Sequence, residues 1–288
     1  MVTILSLIII TRLPGASAFT GGVAAEASAG PARTPEHGKA ATADASPVDR
    51  GTLEAELGYA PIWHHRRGFG SFDTRTTGYT HGLAGTLTYG VLADVDVKLS
   101  AGVANTYDPA HLHDDGSAPR HGSGPTDPTV GARWRFLNLP GRTLELAVIA
   151  DVVLPMGSRH VPNAVGLTQD YWSARGALVA TRDLGALTAS VELALAAPIS
   201  GDARGLRSVA QVNAALGYQL TAWLQPELEL NYTQAAAYGP GARVLAVTAG
   251  VVAPLGGVHR VVAAVQQGLW GRNTPQATAV VLSFKTAL

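Results

Sequence analysis

Alternation of apolar and polar residues with a period of two, repeated along most of the chain, constrains the fold more than any other feature. In the segment 187–195 the odd positions are Leu, Ala or Val, whereas the even positions include Thr188, Ser190 and Glu192. A β-strand places successive side chains on opposite faces, so this pattern predicts a strand with one apolar and one polar face. The same pattern occurs at 53–59, 95–103, 129–136, 144–154 and 227–232.

Six further strands have a weaker pattern, and with the first six they bring the predicted number to about twelve. They lie near 80–89, 171–182, 208–218, 243–253, 258–267 and 277–285. Segment 243–253 is apolar enough to suggest a buried helix. Its β-branched residues and the flanking Gly241, Pro254 and Gly256 favour a strand.

The connections between these strands alternate in length. Short connections with turn residues lie at 90–94, 138–141, 183–185, 219–222 and 254–257, and longer ones at 61–78, 108–125, 155–168, 198–206, 235–242 and 268–276. Short turns on one side and long loops on the other are typical of an outer-membrane barrel. An even number of strands places both chain ends on the turn side.

A soluble two-sheet sandwich is the main alternative for such an array. Strands of about ten residues match a tilted membrane span, whereas soluble strands average five or six residues. The polar faces are rich in Glu and Arg, as expected of a wet lumen, and many aromatic residues lie near strand ends, as in an interfacial girdle. We therefore predict an all-β fold, a single antiparallel up-and-down transmembrane β-barrel of about 12 strands.

The amino-terminal sequence predicts that the protein is exported. An apolar run over 1–10 is followed by Ala16-Ser17-Ala18, a small-x-small cleavage site, so residues 1–18 are a predicted signal peptide. The alternative is an apolar N-terminal helix of a soluble protein. Residues 19–50 are rich in Ala, Gly and Pro and are predicted to be flexible, with the barrel over 51–288. The predicted location is the outer membrane of a Gram-negative bacterium, with outer-membrane lipid and the barrel-assembly machinery as partners.

If the apolar faces meet lipid, the charged residues of the opposite faces line the lumen. The predicted lumen-lining residues are Glu54, Glu56, Asp96, Lys98, Arg133, Arg135, Glu145, Asp151, Arg175, Glu192, Glu227, Glu229, Arg243 and Arg260. Their signs nearly balance, which leaves two interpretations open: a salt-bridged and mostly filled interior, or a hydrated pore. Twelve strands lie between the eight that side chains can fill and the sixteen that leave a channel.

Composition and motifs argue against several other functions. The formal net charge is +0, which disfavours nucleic-acid binding. Cysteine is absent, and no Gly-x-Ser-x-Gly, phosphate loop or dinucleotide fingerprint is found, so no enzyme activity and no cofactor are predicted. His121-Gly122-Ser123 matches the His-x-Ser pair that an outer-membrane phospholipase carries on its barrel wall, but it lies in a Gly/Pro-rich predicted loop. His111 and His113 form a weak candidate metal site, for which a solvated polar loop is the favoured interpretation.

The order of segments resembles the "MetA-pathway of phenol degradation" family of outer-membrane proteins. The resemblance is carried by 53–59, 87–97, 124–134, 153–157 with Tyr171-Trp172, and 216–221. It implies an outer-membrane channel or transporter that passes small solutes, including aromatic or hydrophobic ones, and it supplies no catalytic residues. Two alternatives stay open: a closed structural or surface-interaction barrel, and, more remotely, an outer-membrane lipid hydrolase.

Overall fold

The computed structural model describes residues 40–65, 76–108, 120–159, 167–201, 203, 205–237, 241–256, 258–274 and 276–288. The predicted signal peptide, and residues 19–39 of the predicted flexible segment, lie outside these ranges. Within them the chain is almost entirely β-strand, with one short 3-10 helix at Pro140–Arg142. The described residues include no helix with the length and apolarity needed to cross a bilayer.

Thirteen antiparallel strand segments follow one another along the described chain. They are β1 Leu53–His65, β2 Thr76–Leu92, β3 Val95–Asp108, β4 Arg120–Pro125, β5 Thr129–Asn138, β6 Glu145–Val153, β7 Tyr171–Leu184, β8 Leu187–Gly201, β9 Leu206–Tyr218, β10 Gln225–Ala237, β11 Ala242–Leu255, β12 His259–Arg272 and β13 Ala277–Ala287.

The sheet closes because β1 pairs with β13 as well as with β2. β4 and β5 both pair with β3, β5 along Val95–Ser100 and β4 along Val103–Asp108, so the two segments act as one interrupted strand. The result is a closed barrel of twelve strands, and the predicted fold class is confirmed. The tight connections after β2 and β7 define one end, here the turn end, and the opposite end is the loop end.

Two details of the predicted connections are wrong. His121-Gly122-Ser123 lies in β4 rather than in a loop, because pairing with β3 orders a Gly- and Pro-rich stretch that has no strand pattern of its own. The predicted long loops 198–206, 235–242 and 268–276 are short, since β8 continues to Gly201, β10 to Ala237 and β12 to Arg272. Only the first three loop-end connections are long.

The barrel is apolar outside and polar inside. Leu57, Leu193 and Leu228 are each about half exposed, at 54%, 49% and 54%, whereas Glu192 and Glu229 are each 1% exposed. A surface of large apolar side chains around a closed sheet with no free edge is what a bilayer requires. This arrangement excludes the soluble sandwich.

Aromatic and imidazole rings form a row on the outer face of β1 to β4. Ring centroids lie 6.2 Å apart for Tyr59 and His81, 5.2 Å for His81 and Tyr79, 5.6 Å for Tyr79 and Tyr107, and 4.7 Å for Tyr107 and His121. Rings with an apolar body and a polar edge suit the boundary between lipid and water. The row forms part of the predicted girdle.

Candidate functional site: the barrel lumen

Residues 40–48, here the luminal segment, cross the lumen in its turn-end half before the chain enters β1. Ala40, Ala45 and Val48 are completely buried, and so are Asp44 and Ser46. The prediction that 19–50 is flexible is therefore wrong for the luminal segment. The small residues and the lack of an apolar pattern favoured disorder. In the structure, the barrel wall supplies the hydrogen-bonding and packing partners that such a segment cannot supply for itself.

Glu229 of β10 is the main anchor of the luminal segment. Its carboxylate accepts hydrogen bonds from the backbone nitrogens of Ala40 at 2.7 Å and Ala41 at 3.0 Å, and from Thr42 Oγ1 at 2.8 Å. Successive backbone N–H groups that point the same way form a cradle for an anion. Hydrogen bonds to an ionised acceptor are stronger than neutral ones, so Glu229 holds this end of the segment firmly.

Other wall residues continue the attachment around the barrel. Ala43 N donates to Glu192 Oε2 at 2.9 Å, Ala45 N to Thr181 Oγ1 at 3.1 Å and Val48 N to Asp96 Oδ2 at 2.9 Å. Arg133 Nη1 donates to the Asp44 carbonyl at 3.0 Å, and Ser46 Oγ donates to Glu145. The segment is thus recognised mainly through its backbone.

Small side chains let the segment pack against the wall. Ala40 packs in an apolar cluster of β11 to β13, whose members include Val252 and Val262. Ala45 packs in a second cluster, of β6 to β8, whose members include Ile149 and Val179. At its end the chain turns at Gly51, whose φ of +81° favours glycine, and Gly51 N donates to Gly90 O at 2.7 Å. The luminal segment therefore spans from β11–β13 to β2–β3.

Charged side chains between β3 and β8 form a ladder of ion pairs. Arg133 pairs with Asp96, and Lys98 Nζ lies 2.9 Å from Asp151 Oδ1. Arg175 lies 2.8 Å from Asp151 Oδ2 and also pairs with Glu192. Gly131 lies beneath the Lys98–Asp151 pair: a Cβ there would be 2.1 Å from Asp151 Oδ1. These charges compensate each other, as buried charges require.

Further pairs lie at the turn end. Arg135 lies 2.7 Å from both Asp94 Oδ1 and Glu145 Oε1. Lys285 Nζ lies 2.6 Å from Glu54 Oε2, and Ser283 Oγ donates to Glu56 at 2.8 Å. Lys285 was not among the predicted lumen residues.

The structure places the predicted lumen residues on the inward face, with one exception. Glu227 and Arg260 are 5% and 3% exposed and lie in the wall of the turn-end half. Arg243 instead lies on the outer face, with its guanidinium carbon 4.9 Å from the Trp270 ring centroid. Its strand is apolar on both faces, so the sequence does not reveal which parity points inward. An arginine at the loop end can reach the polar boundary of the membrane.

A cavity of about 290 Å³ occupies the loop-end half of the lumen. Ala41 and Ala43 of the luminal segment form part of its lining, and the ion-pair ladder lies on one side. Apolar side chains, among them Ile62, Leu206 and Val209, line the part nearer the loop end. The two interpretations left open by the sequence therefore apply to different halves: one filled, the other open.

A ladder of neutral polar groups, missed from the sequence, faces the ion pairs. Thr248 Oγ1 donates to Asn231 Oδ1 at 2.8 Å and accepts from Gln266 Nε2 at 3.0 Å. Asn231 Nδ2 donates to Asn213 Oδ1 at 3.3 Å, and Asn213 Nδ2 lies 3.4 Å from Glu192 Oε2. Asn231 shares the inward parity of Glu227 and Glu229 on β10, which is the signal that could have identified it.

Asp127, also missed, fastens the connection between β6 and β7. Its carboxylate accepts from Gly157 N at 2.8 Å and Gln169 N at 2.7 Å. Gln169 Nε2 donates to the Tyr171 carbonyl at 2.7 Å and to Ser173 Oγ at 2.9 Å. These hydrogen bonds keep the barrel wall ordered at the interruption between β4 and β5.

Neither the weak metal candidate nor the catalytic candidate gains support from the described residues. His111 and His113 lie outside the described residues. The described ranges bring together no group of three or more His, Cys, Asp or Glu side chains able to hold a metal ion. His121 and Ser123 are exposed on the outer face, opposite Tyr107 and Asn105 of β3.

Comparisons with known proteins agree with this fold. The "COG4313 outer membrane channel from Pseudomonas putida F1" has a TM-score of 0.69 at 12% identity, covering 85% of this chain and 98% of that one. The "Beta Domain of the Bordetella Autotransporter Brka" has a TM-score of 0.52 at 16% identity, covering 83% and 100%. Both likenesses concern the fold. No curated protein sequence matches.

A family profile described as "Putative MetA-pathway of phenol degradation" matches residues 37–284. The match covers the luminal segment and nearly the whole barrel. Together with the apolar outer surface, it places the protein in the outer membrane. The chain belongs to the MetA-pathway of phenol degradation family.

Proposed function

We propose that this protein is a passive outer-membrane channel for small solutes, which enter the lumen at the loop end. The observation that carries the proposal is the cavity of about 290 Å³ enclosed by the closed barrel in its loop-end half. The family membership and the likeness to a structure described as an outer membrane channel support it.

The lining of the cavity suits small aromatic or hydrophobic solutes. Ile62, Leu206 and Val209 offer apolar contact, while Asn213 and Gln266 offer hydrogen bonds. An apolar cavity of about 150 Å³ accepts benzene in other proteins, so this volume accommodates a single aromatic ring. No catalysis is assigned: no hydrogen bond joins His121 to Ser123 within the described part of the chain.

Flux through reconstituted protein tests the proposal. Purified protein in vesicles and planar bilayers should show saturable passage of small solutes, falling as solute size increases. Heat-denatured protein is the control. Failure to conduct or to pass any solute, in protein that shows the gel-mobility shift of a folded barrel, would contradict the channel and favour the closed structural barrel. The closed structural barrel remains the second candidate because the turn-end half of the lumen is filled.

Export and assembly complete the proposal. Residues 1–18 act as a cleaved signal peptide, and the barrel-assembly machinery inserts the chain. Val280, Leu282 and Phe284 alternate along β13 as in a last strand that this machinery recognises, but residues 285–288 follow the final aromatic residue. Sequencing the amino terminus of the membrane-extracted protein tests the cleavage site, which is expected after Ala18.

A further inference from the structure

We infer that the turn-end half of the lumen is a binding site for a short peptide with small side chains, and that the luminal segment is its resident ligand and closes the channel. The inference uses the proposed channel only for its conductance readout. The binding site itself is argued from the contacts of residues 40–48.

The wall recognises the peptide backbone rather than particular side chains. Glu229 accepts from the N–H groups of Ala40 and Ala41, Glu192 from Ala43, and Asp96 from Val48. These three carboxylates come from β10, β8 and β3, so they surround the lumen axis. A buried carboxylate needs donors, and the backbone N–H groups of the luminal segment supply them.

The wall also limits which peptide fits. The pockets beside Ala40 and Ala45 are closed by Val252, Val179 and neighbouring apolar side chains, and both alanines are 0% exposed. A larger side chain at either position would overpack the wall. The site therefore accepts a bent segment with small side chains, such as Ala-Ala-Thr-Ala-Asp-Ala-Ser-Pro-Val at 40–48.

Closure follows from the position of the segment. It lies between the cavity, to whose lining Ala41 and Ala43 belong, and the turn end of the barrel. A solute in the cavity meets the segment before it can leave at the turn end. Passage then requires the segment to move, while the ion-paired wall can stay in place.

Substitutions in the segment test closure and leave the wall intact. Ala41→Pro with Ala43→Pro removes the two N–H donors to Glu229 and Glu192, because proline has none. The matched control, Ala41→Gly with Ala43→Gly, keeps both donors. We expect the proline variant to conduct severalfold more than the unmodified protein and clearly more than the glycine variant. Equal conductance of all three in a protein that conducts would overturn closure by the segment.

A peptide added from outside tests the site itself. A synthetic peptide of residues 40–48, added from the turn side, should return the proline variant towards the conductance of the unmodified protein. The same peptide with N-methyl groups at Ala41 and Ala43 should not. If no variant conducts, the proposed channel function is contradicted. The peptide site is then tested separately, by binding of a fluorescently labelled 40–48 peptide to the proline variant in detergent. Saturable binding that N-methylation removes supports the peptide site, and absence of binding overturns it.

Discussion

The two halves of the lumen are built from the same strands but have opposite contents. On β10, Glu229 reaches inward to the luminal segment, whereas Thr233 and Ala235, further towards the loop end, line the open cavity. On β8, Glu192 binds the segment and Ala196 lines the cavity. Long carboxylates hold a peptide across the lumen, and small side chains leave space. The turn-end half, where the segment blocks passage of a solute, is thus separate from the loop-end half, which contacts the solute first.

The largest effect is expected where a charge in the filled half loses its partner. Asp96→Ala leaves the Arg133 guanidinium, 5% exposed, without its carboxylate, which should cost about 3–5 kcal/mol in the free energy of unfolding. Asp94→Ala removes a carboxylate that is 51% exposed and should cost at most about 1 kcal/mol. Urea unfolding of vesicle-inserted protein, followed by tryptophan fluorescence, measures both. Equal losses would contradict a buried, paired interior.

A smaller effect is expected at the ion pair above Gly131. Gly131→Ala forces Asp151 and Lys98 to move and should cost about 1–3 kcal/mol. Gly176→Ala, on β7, places its methyl group where no atom lies within 4 Å. That control should be neutral or stabilising by up to about 1 kcal/mol, because alanine loses less conformational entropy than glycine. If the two variants unfold at the same urea concentration, the Lys98–Asp151 ion pair does not require a glycine at position 131.

The ladder of neutral polar groups between the two halves should contribute less to the free energy of unfolding. Thr248→Val removes hydrogen bonds to Asn231 and Gln266 and should cost roughly 1–2 kcal/mol. Thr188 is also fully buried, but its hydroxyl has no hydrogen-bond partner among the described residues. Thr188→Val should therefore be neutral or stabilising in the same unfolding assay. A loss at Thr188 comparable to that at Thr248 would mean that the ladder is not what stabilises this layer.

The open half should tolerate a large side chain with little change in stability. Ala84→Trp directs an indole into the cavity and should reduce solute flux, while the free energy of unfolding changes by about 0.5 kcal/mol or less. Leu83→Trp, the adjacent residue on the lipid face, should leave flux unchanged. Vesicle flux and urea unfolding are measured on the same preparations. Unchanged flux in Ala84→Trp would remove the cavity from the proposed path.

The fold was predictable because each strand must satisfy lipid on one face. In β8, Leu193 and Glu192 differ so strongly that one residue of register error would bury a leucine in the lumen and place a glutamate in hydrocarbon. Where that contrast fades, prediction fails. β11 is apolar on both faces, which is why Arg243 was assigned inward. β4 has no contrast at all, and only its pairing with β3 makes it a strand.

The site was less predictable because its parts are distant in sequence. Most of the charged residues could be assigned to the lumen from local parity, but their partners could not, because Lys98 meets Asp151 across β5 only in the closed barrel. The luminal segment is harder still. Nothing within residues 40–48 indicates order, since the groups that order it, Glu229 above all, lie on strands far away in the sequence.

The turn at Gly51 has a consequence for how the luminal segment can move. The segment is covalently joined to β1 through only a few residues, and backbone bonds to Gly90 fix that junction to the wall. A ligand on so short a tether has a very high effective concentration at its own site, of the order of millimolar or above. Departures should therefore be brief and rebinding fast, and the open state of the unmodified protein should consist of short events.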